Sequence, residues 1–186
     1  DLLDQRDQMI AELGQLINIQ TSESADGTML ISVSGYQVVD HMGAKSIPRT
    51  YDAATQRITD PVTGSKLEIT GGLLAAQFQA KGRFQTMLNQ LNSLAVEMRD
   101  QFNALHQTGI NEQGNTGVDF FGGVDAMDFN LSTDVLADPR AIAAGTSGRA
   151  GDGGLALSFA DLREANLANL DGQTFGKFYG SMVTGL

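Results

Sequence analysis

The 186 residues suffice for one sizeable domain, or for an elongated one with a small insertion, and an apolar fraction of 41% separates the chain from disordered sequences. Lys and Arg total 12 against 22 Asp and Glu, and the resulting formal charge of -10 repels a phosphate backbone, which excludes nucleic acid as a partner. Cysteine is absent, which excludes disulfides and thiolate chemistry, and no apolar run approaches the roughly 20 residues that cross a bilayer.

The sequence opens inside a helical pattern. Leu3, Ile10 and Ile17, with Leu13 between them and Leu2, Met9 and Leu16 alongside, form a wide apolar stripe over residues 1–17 that Arg6 interrupts. Ile17, Ile19 and Thr21 then alternate with polar residues, as do Met29, Ile31 and Val33. With the turn chemistry of Asp26 and Gly27 between them, they predict a hairpin over about 16–33. A second hairpin is predicted from 56–59 and 66–69 across Pro61 and Gly64, and 41–50 reads as loop.

After Gly71 and Gly72 comes the most regular segment of the chain. Phe84, Leu91, Met98 and Leu105 recur every seven residues, and Leu88, Ala95 and Phe102 interleave with them. Such a repeat keeps one helical face apolar, so the segment must lie lengthwise against other helices in a coiled-coil manner. Met87 and Leu94 broaden the stripe, which favours two neighbours in a bundle over a two-stranded coil. Unbroken over 73–108, this helix extends about 50 Å at 1.5 Å per residue, with Gly82 as an internal weakness and Gly109 in place for a left-handed C-terminal cap. Beyond it, 109–123 reads as loop, 128–132 as a short strand, 145–154 as a flexible glycine-rich connector and 155–170 as a less regular helix. Thr174 is placed to N-cap a last helix carrying Phe175, Phe178, Met182, Val183 and Leu186.

No constellation of reactive residues matches this seam in strength. His41 and His106 lie in different segments without carboxylates at ligand spacing, so His106 reads as a partly exposed polar residue near a helix end. Asn111, Gln113 and Asn115 imitate a calcium loop, but Thr116 stands where such a loop needs Gly and no Glu closes it, so a turn is expected. The glycines at 145, 148, 151, 153 and 154 lack the Lys and Ser or Thr of a phosphate-binding loop. Asp4, Asp7 and Glu12 beside Arg6 read as a solvated or interhelical charge network, and the Asn130-Leu131-Ser132 acceptor pattern for glycosylation carries no weight by itself.

Several blocks resemble the family of flagellar hook-associated protein 1. They are Asp-Leu-Leu-Asp-Gln-Arg-Asp at 1–7, Gly-Gly-Leu-Leu at 71–74, Phe-Asn-Ala-Leu-His-Gln-Thr-Gly at 102–109, Asp119-Phe120-Phe121, Asp138-Pro139, and Thr-Phe-Gly-Lys-Phe-Tyr-Gly-Ser-Met-Val at 174–183. The resemblance implies a bacterial structural protein, extracellular in the flagellum, that joins hook to filament and serves motility. It implies export by the flagellar secretion system without a cleaved signal peptide, self-assembly into a ring, contacts with hook protein and the second junction protein, and no enzyme. With no initiator Met and helical patterns at both ends, the sequence is expected to be a central fragment lacking the terminal tube-forming helices.

The expectation is therefore an α+β chain, an elongated antiparallel helical bundle or rod with an attached β-hairpin region. Residues 1–17 and 71–186 form the rod, with loops over 109–154, and 18–70 form a β-rich insertion. Leu3, Ile10, Leu13, Ile17, Phe84, Leu88, Leu91, Ala95, Met98, Phe102 and Leu105 form the packing seam. No catalytic, cofactor or metal site is assigned, and no small-molecule substrate or membrane contact. The rival reading is a ligand-binding or adhesin-like module carried on a helical stalk.

Overall fold

Helix α1 (Leu2–Leu16) starts where Asp1 offers its carboxylate to the amides of Leu3 and Asp4 in a capping box, and it ends as Ile17 turns to extended backbone. Asn18 then accepts from the amides of Thr70 and Gly71 at 3.0 and 3.4 Å, so the chain leaves and returns at one neck. Between these ends lie two small antiparallel sheets. Strands β1 (Gln20–Glu23), β2 (Met29–Val33), β3 (Tyr36–Asp40) and β4 (Gly43–Ala44) form a four-stranded meander, and β5 (Thr50–Asp52), β6 (Arg57–Thr59) and β7 (Lys66–Leu67) form a three-stranded one. The computed structural model describes residues 1–46, 50–52, 57–59, 64 and 66–185.

The first hairpin pairs Gln20 with Ser32 and Glu23 with Met29 around the expected Asp26-Gly27 turn. It begins later than the sequence pattern suggests, because Leu16 still belongs to α1 and Ile17 goes into the core. The predicted loop over 41–50 is corrected: Gly43 and Ala44 pair with Asp40 and Val39. Strand β3 arises from a two-residue turn in which Ser34 (φ 49°) and Gly35 (φ 81°) both take positive φ, the geometry that matches strand twist in a tight hairpin. The second predicted hairpin forms between β6 and β7, and its turn at 60–63, with Gln56, lies outside the described residues.

Helix α2 (Gly72–His106) runs unbroken for 35 residues. Gly72 opens it at φ +77°, and a Cβ there would meet the Leu16 carbonyl at 2.7 Å, so only glycine fits the neck. The later elements are β8 (Ile110–Asn111), β9 (Phe121–Gly122), β10 (Asn130–Leu131), α3 (Thr133–Ala137), β11 (Ala143–Gly145), α4 (Gly154–Asp161) and α5 (Phe175–Thr184). Strand β10 pairs with β9, and β11 with β8, so the stretch expected as plain loop holds two short ladders. The 155–170 pattern breaks after α4 into short 3-10 turns, and Thr174 caps α5 by accepting from the Lys177 amide.

The chain forms two compact units, Asp1–Gly82 and Arg83–Leu186. In the first, Ile17, Ile31, Val33, Val38, Ile58, Leu67, Ile69 and Ala75 form the core, with Ile10, Leu13 and Phe78 against it. In the second, Leu167, Leu170 and Phe178 are buried with Leu94 and Phe175 around them.

Leu67→Ala should cost about 2 to 5 kcal/mol, since its side chain is fully buried. Leu91 is 37% exposed, so Leu91→Ala should fall below about 2 kcal/mol, under the range for buried leucines. Gly72→Ala should cost about 1 to 2 kcal/mol or more through its left-handed backbone. Urea denaturation of the three variants checks this order, and an equal loss for Leu91→Ala and Leu67→Ala would contradict it.

Candidate functional site: a polar ladder on the long helix

In the C-terminal half of α2, Asn92, Arg99, Asn103 and His106 follow at steps of seven, four and three, which puts them along one helical face. Each meets the segment 117–126, which runs antiparallel beside the helix. His106 reaches the Val118 carbonyl at 2.6 Å, and Asn103 binds Phe120 and Phe121. Arg99 donates to the Gly123 carbonyl at 2.6 Å, and Asn92 accepts from the Ala126 amide at 3.1 Å. Gln107 extends the row to Asp119, and its own carbonyl accepts from the Gly117 amide.

Asn103 does the work of a missing strand. Its Oδ1 accepts from the Phe120 and Phe121 amides at 2.9 and 2.8 Å while its Nδ2 donates to the Phe121 carbonyl at 2.8 Å. The side-chain amide thus satisfies both backbone groups of Phe121, as a paired strand residue would. On the far side β10 takes over, with Ser132 donating through its amide to Phe120 and through its hydroxyl to Asp119.

His106 is 1% exposed, which corrects the partly exposed reading. Its Nε2 accepts from the Ala143 amide at 2.9 Å, so Nδ1 carries the proton and donates to Val118; the hydrogen bonds assign a neutral tautomer. One ring thereby ties α2 to the segment before β9 and to β11. Around it gather Phe102, Phe120, Phe121, Phe129 and Phe159, with Phe102 stacked on Phe159 at 5.1 Å and Phe120 edge-on to His106 at 5.3 Å.

Gly109 does not form a left-handed cap. Helix α2 ends instead by tightening, with the amides of Thr108 and Gly109 bonded to the Leu105 and His106 carbonyls three residues back. Glycine is needed there because a Cβ would run into Leu155 and Ala143. Asn111 makes the expected turn, accepting from the Gln113 and Asn115 amides at 3.0 and 2.9 Å.

The glycine-rich 145–154 stretch is a built loop and not a bare connector. Asp152 accepts from the Ser147 hydroxyl and from the amides of Gly154, Ser147 and Thr146. These donors, the Ser147 hydroxyl first, hold its carboxyl well below the usual range.

Of the seam residues, Ile10 and Leu13 are half-buried, and Ile17 is buried in the first unit. Leu88, Ala95, Met98, Phe102 and Leu105 are half-buried along α2, while Leu3 and Phe84 are each 59% exposed. Sequence periodicity followed the apolar face and missed the polar row, although Asn92, Arg99, Asn103 and His106 carry a helical spacing of their own. On α1, Arg6 pairs with Asp7 at 2.8 Å and Gln8 with Glu12 at 3.0 Å, a solvated network. His41 lies 3.6 Å from Asp26 and 3.4 Å from Ser24 on the exposed hairpin tip, a surface contact that ties β3 to the first turn. Among the described residues no group of three or more metal-ligating side chains comes together, and no helix is long and apolar enough to cross a membrane.

Asn103→Ala should cost about 1 to 3 kcal/mol, because it removes the partner of three part-buried backbone groups that water then reaches only in part. Hydrogen exchange at Phe120 and Phe121 should accelerate before the first unit responds, and unchanged exchange there would refute the ladder. For Asp152 the sign follows from a folded carboxyl below its unfolded value: the loop's order is present above about pH 4 and is lost as pH falls further. Amide chemical shifts of Thr146, Ser147 and Gly154 should move together below pH 4, and Asp152→Asn should abolish that dependence.

The model of the flagellar hook-associated protein FlgK helical domain matches residues 1–121. Flagellar hook-associated protein 1 of Salmonella typhimurium is 36% identical over 135 residues, covering 65% of this chain and 24% of that protein. The Escherichia coli protein of the same name is 33% identical over 133 residues with the same coverage. The Bacillus subtilis one is 28% identical over 152 residues, 64% of this chain and 30% of its own length. The chain thus spans about a quarter of the length of the curated relatives it matches. Phe102, Asn103, His106, Phe120 and Phe121, in the 102–109 and 119–121 blocks that carry the resemblance, build part of the polar ladder and its aromatic cluster. The chain belongs to the flagellar hook-associated protein family, matching its helical domain.

Proposed function

We propose that this chain is the helical-domain portion of a structural protein that joins the flagellar hook to the filament, outside the cell, with no reaction centre. The observation that carries the reading is α2 itself, matched along its length to the helical domain and stiffened by side chains bonded to its own unit. A load-bearing joint needs elements that do not shear, and a helix with its neighbouring segment pinned at Asn92, Arg99, Asn103 and His106 resists sliding.

In this reading, residues 1–17 and 71–186 belong to a rod-like bundle and 18–70 form a β-rich insertion, a plan supported by the Asn18 neck where the insertion leaves and returns. The exposed seam members Leu3, Phe84 and Leu91 leave apolar surface for lengthwise helix contact in the assembled full-length protein. Self-assembly into a ring, contact with hook protein and with the second junction protein, and export through the flagellar secretion channel complete the proposal.

Phe84→Glu in the full-length protein tests it. The exposed side chain predicts a stability change within about 0.5 kcal/mol, yet filaments should detach from hooks in a deletion strain carrying the variant. The unaltered protein must restore filaments in that strain. Hooks that carry filaments with the whole protein deleted would end the proposal.

A further inference from the structure

On the side of α2 opposite the polar ladder, Leu94, Glu97 and Gln101 follow at steps of three and four. Glu97 is 3% exposed, and among the described residues no cation forms an ion pair with it. Its charge is met by two neutral carboxamides instead, one on each oxygen. Gln101 Nε2 donates to Oε1 at 2.9 Å and Asn169 Nδ2 to Oε2 at 2.8 Å. A buried carboxylate served by so few donors depends on each of them, because removal of either leaves half of the charged head without a partner.

Asn169 comes from 72 positions further along the chain. It is exposed and lies between the buried Leu167 and Leu170, on a turn closed by its own backbone. The Leu167 amide donates to the Gln173 carbonyl at 3.1 Å, and the Gly172 amide to the Leu167 carbonyl at 2.9 Å. Helix α5 follows directly, capped by Thr174 and tied back where the Ser181 hydroxyl donates to Gln173 at 3.2 Å. Residues 165–184 thus form a strap folded largely on itself. Leu167, Leu170 and Phe178 of the strap meet α2 at Leu94, and Asn169 meets it at Glu97. A leucine contact survives a small slide, whereas a carboxamide must land on Oε2 at one place, so the polar contact sets where the strap sits.

We propose that Glu97 is the clasp that closes this strap on α2, so that residues 165–184 open and close as one piece when Asn169 leaves and returns to its carboxylate. Opening admits water to Glu97 and uncovers Leu94, Leu167 and Phe178. Gln101 lies four residues along the same helix and keeps its bond in both states, so Asn169 alone distinguishes them. The ladder on the opposite face is unaffected, because Asn92, Arg99, Asn103 and His106 bond to 117–126 without the strap.

Isosteric variants of the full-length protein test the clasp by hydrogen exchange read peptide by peptide in a mass spectrometer. Asn169→Asp sets a second carboxylate against Oε2 and should speed exchange over 167–178 about tenfold or more, the loss of one charge-assisted bond. Adding Glu97→Gln should bring exchange back to within about threefold of the parent, since the new carboxamide donates to the new carboxylate. Phe120 and Phe121 should exchange alike in every variant. Unchanged exchange over 167–178 in Asn169→Asp, or a rise that Glu97→Gln does not reverse, would overturn the clasp. A rise that Phe120 and Phe121 share would overturn it as well, because the strap would not then open by itself.

Discussion

The second unit depends on a helix face that is polar where it touches its own chain. Segment 117–126 lies against α2, where backbone groups withdrawn from water each cost about 1 to 3 kcal/mol if left unpaired. Helix α2 has no free backbone groups to offer along its length, because its own ladder uses them. Side chains must supply the partners instead: Asn103 gives an acceptor and a donor together, His106 one of each on opposite edges of a ring, Arg99 a donor and Asn92 an acceptor. Asn and His are indifferent helix formers, costing some tenths of a kcal/mol against Ala. That cost is small beside the groups they satisfy.

The same accounting explains why the aromatic cluster sits where it does. Phe120 and Phe121 turn toward Phe102 with their amides bonded to Asn103. The half-buried rings limit water's access to those hydrogen bonds, and the bonds in turn hold the rings in edge and stacked contacts. Neither layer is positioned without the other. Gly109 belongs to this arrangement as well, since any side chain there would push Leu155 and Ala143 away from the end of α2, and Ala143 is where His106 makes its second bond.

Periodicity made both long helices legible, along with the first hairpin and the α5 cap, because each rests on local spacing or on a single turn or cap residue. What escaped it depends on residues distant in sequence. The burial of His106 follows from partners 12 and 37 positions away, and nothing in the neighbouring letters reveals them. Strand β3 was within reach, since Ser34-Gly35 between Val33 and Tyr36 is a tight-turn signal that the alternation on either side supports. The Gly109 cap failed for a different reason: glycine after a helix has two uses, positive φ or closeness, and the sequence does not distinguish them.

A seven-residue repeat and a polar row at sevens, fours and threes share the same helix because the α-helical period places them on adjoining strips of its surface. The apolar stripe is only half covered by the described residues, with Phe84 and Leu91 exposed, while the polar row is fully engaged. That asymmetry separates two physical tasks. Hydrogen bonds with fixed directions suit contacts that must form once, inside the folding chain, and lock a register. Apolar stripes tolerate small shifts and gain from any lengthwise neighbour, which suits contacts made later between elements that fold apart. A contact made along this stripe need not order segment 117–126 or the part of α2 that holds it, since hydrogen bonds within the chain already do so.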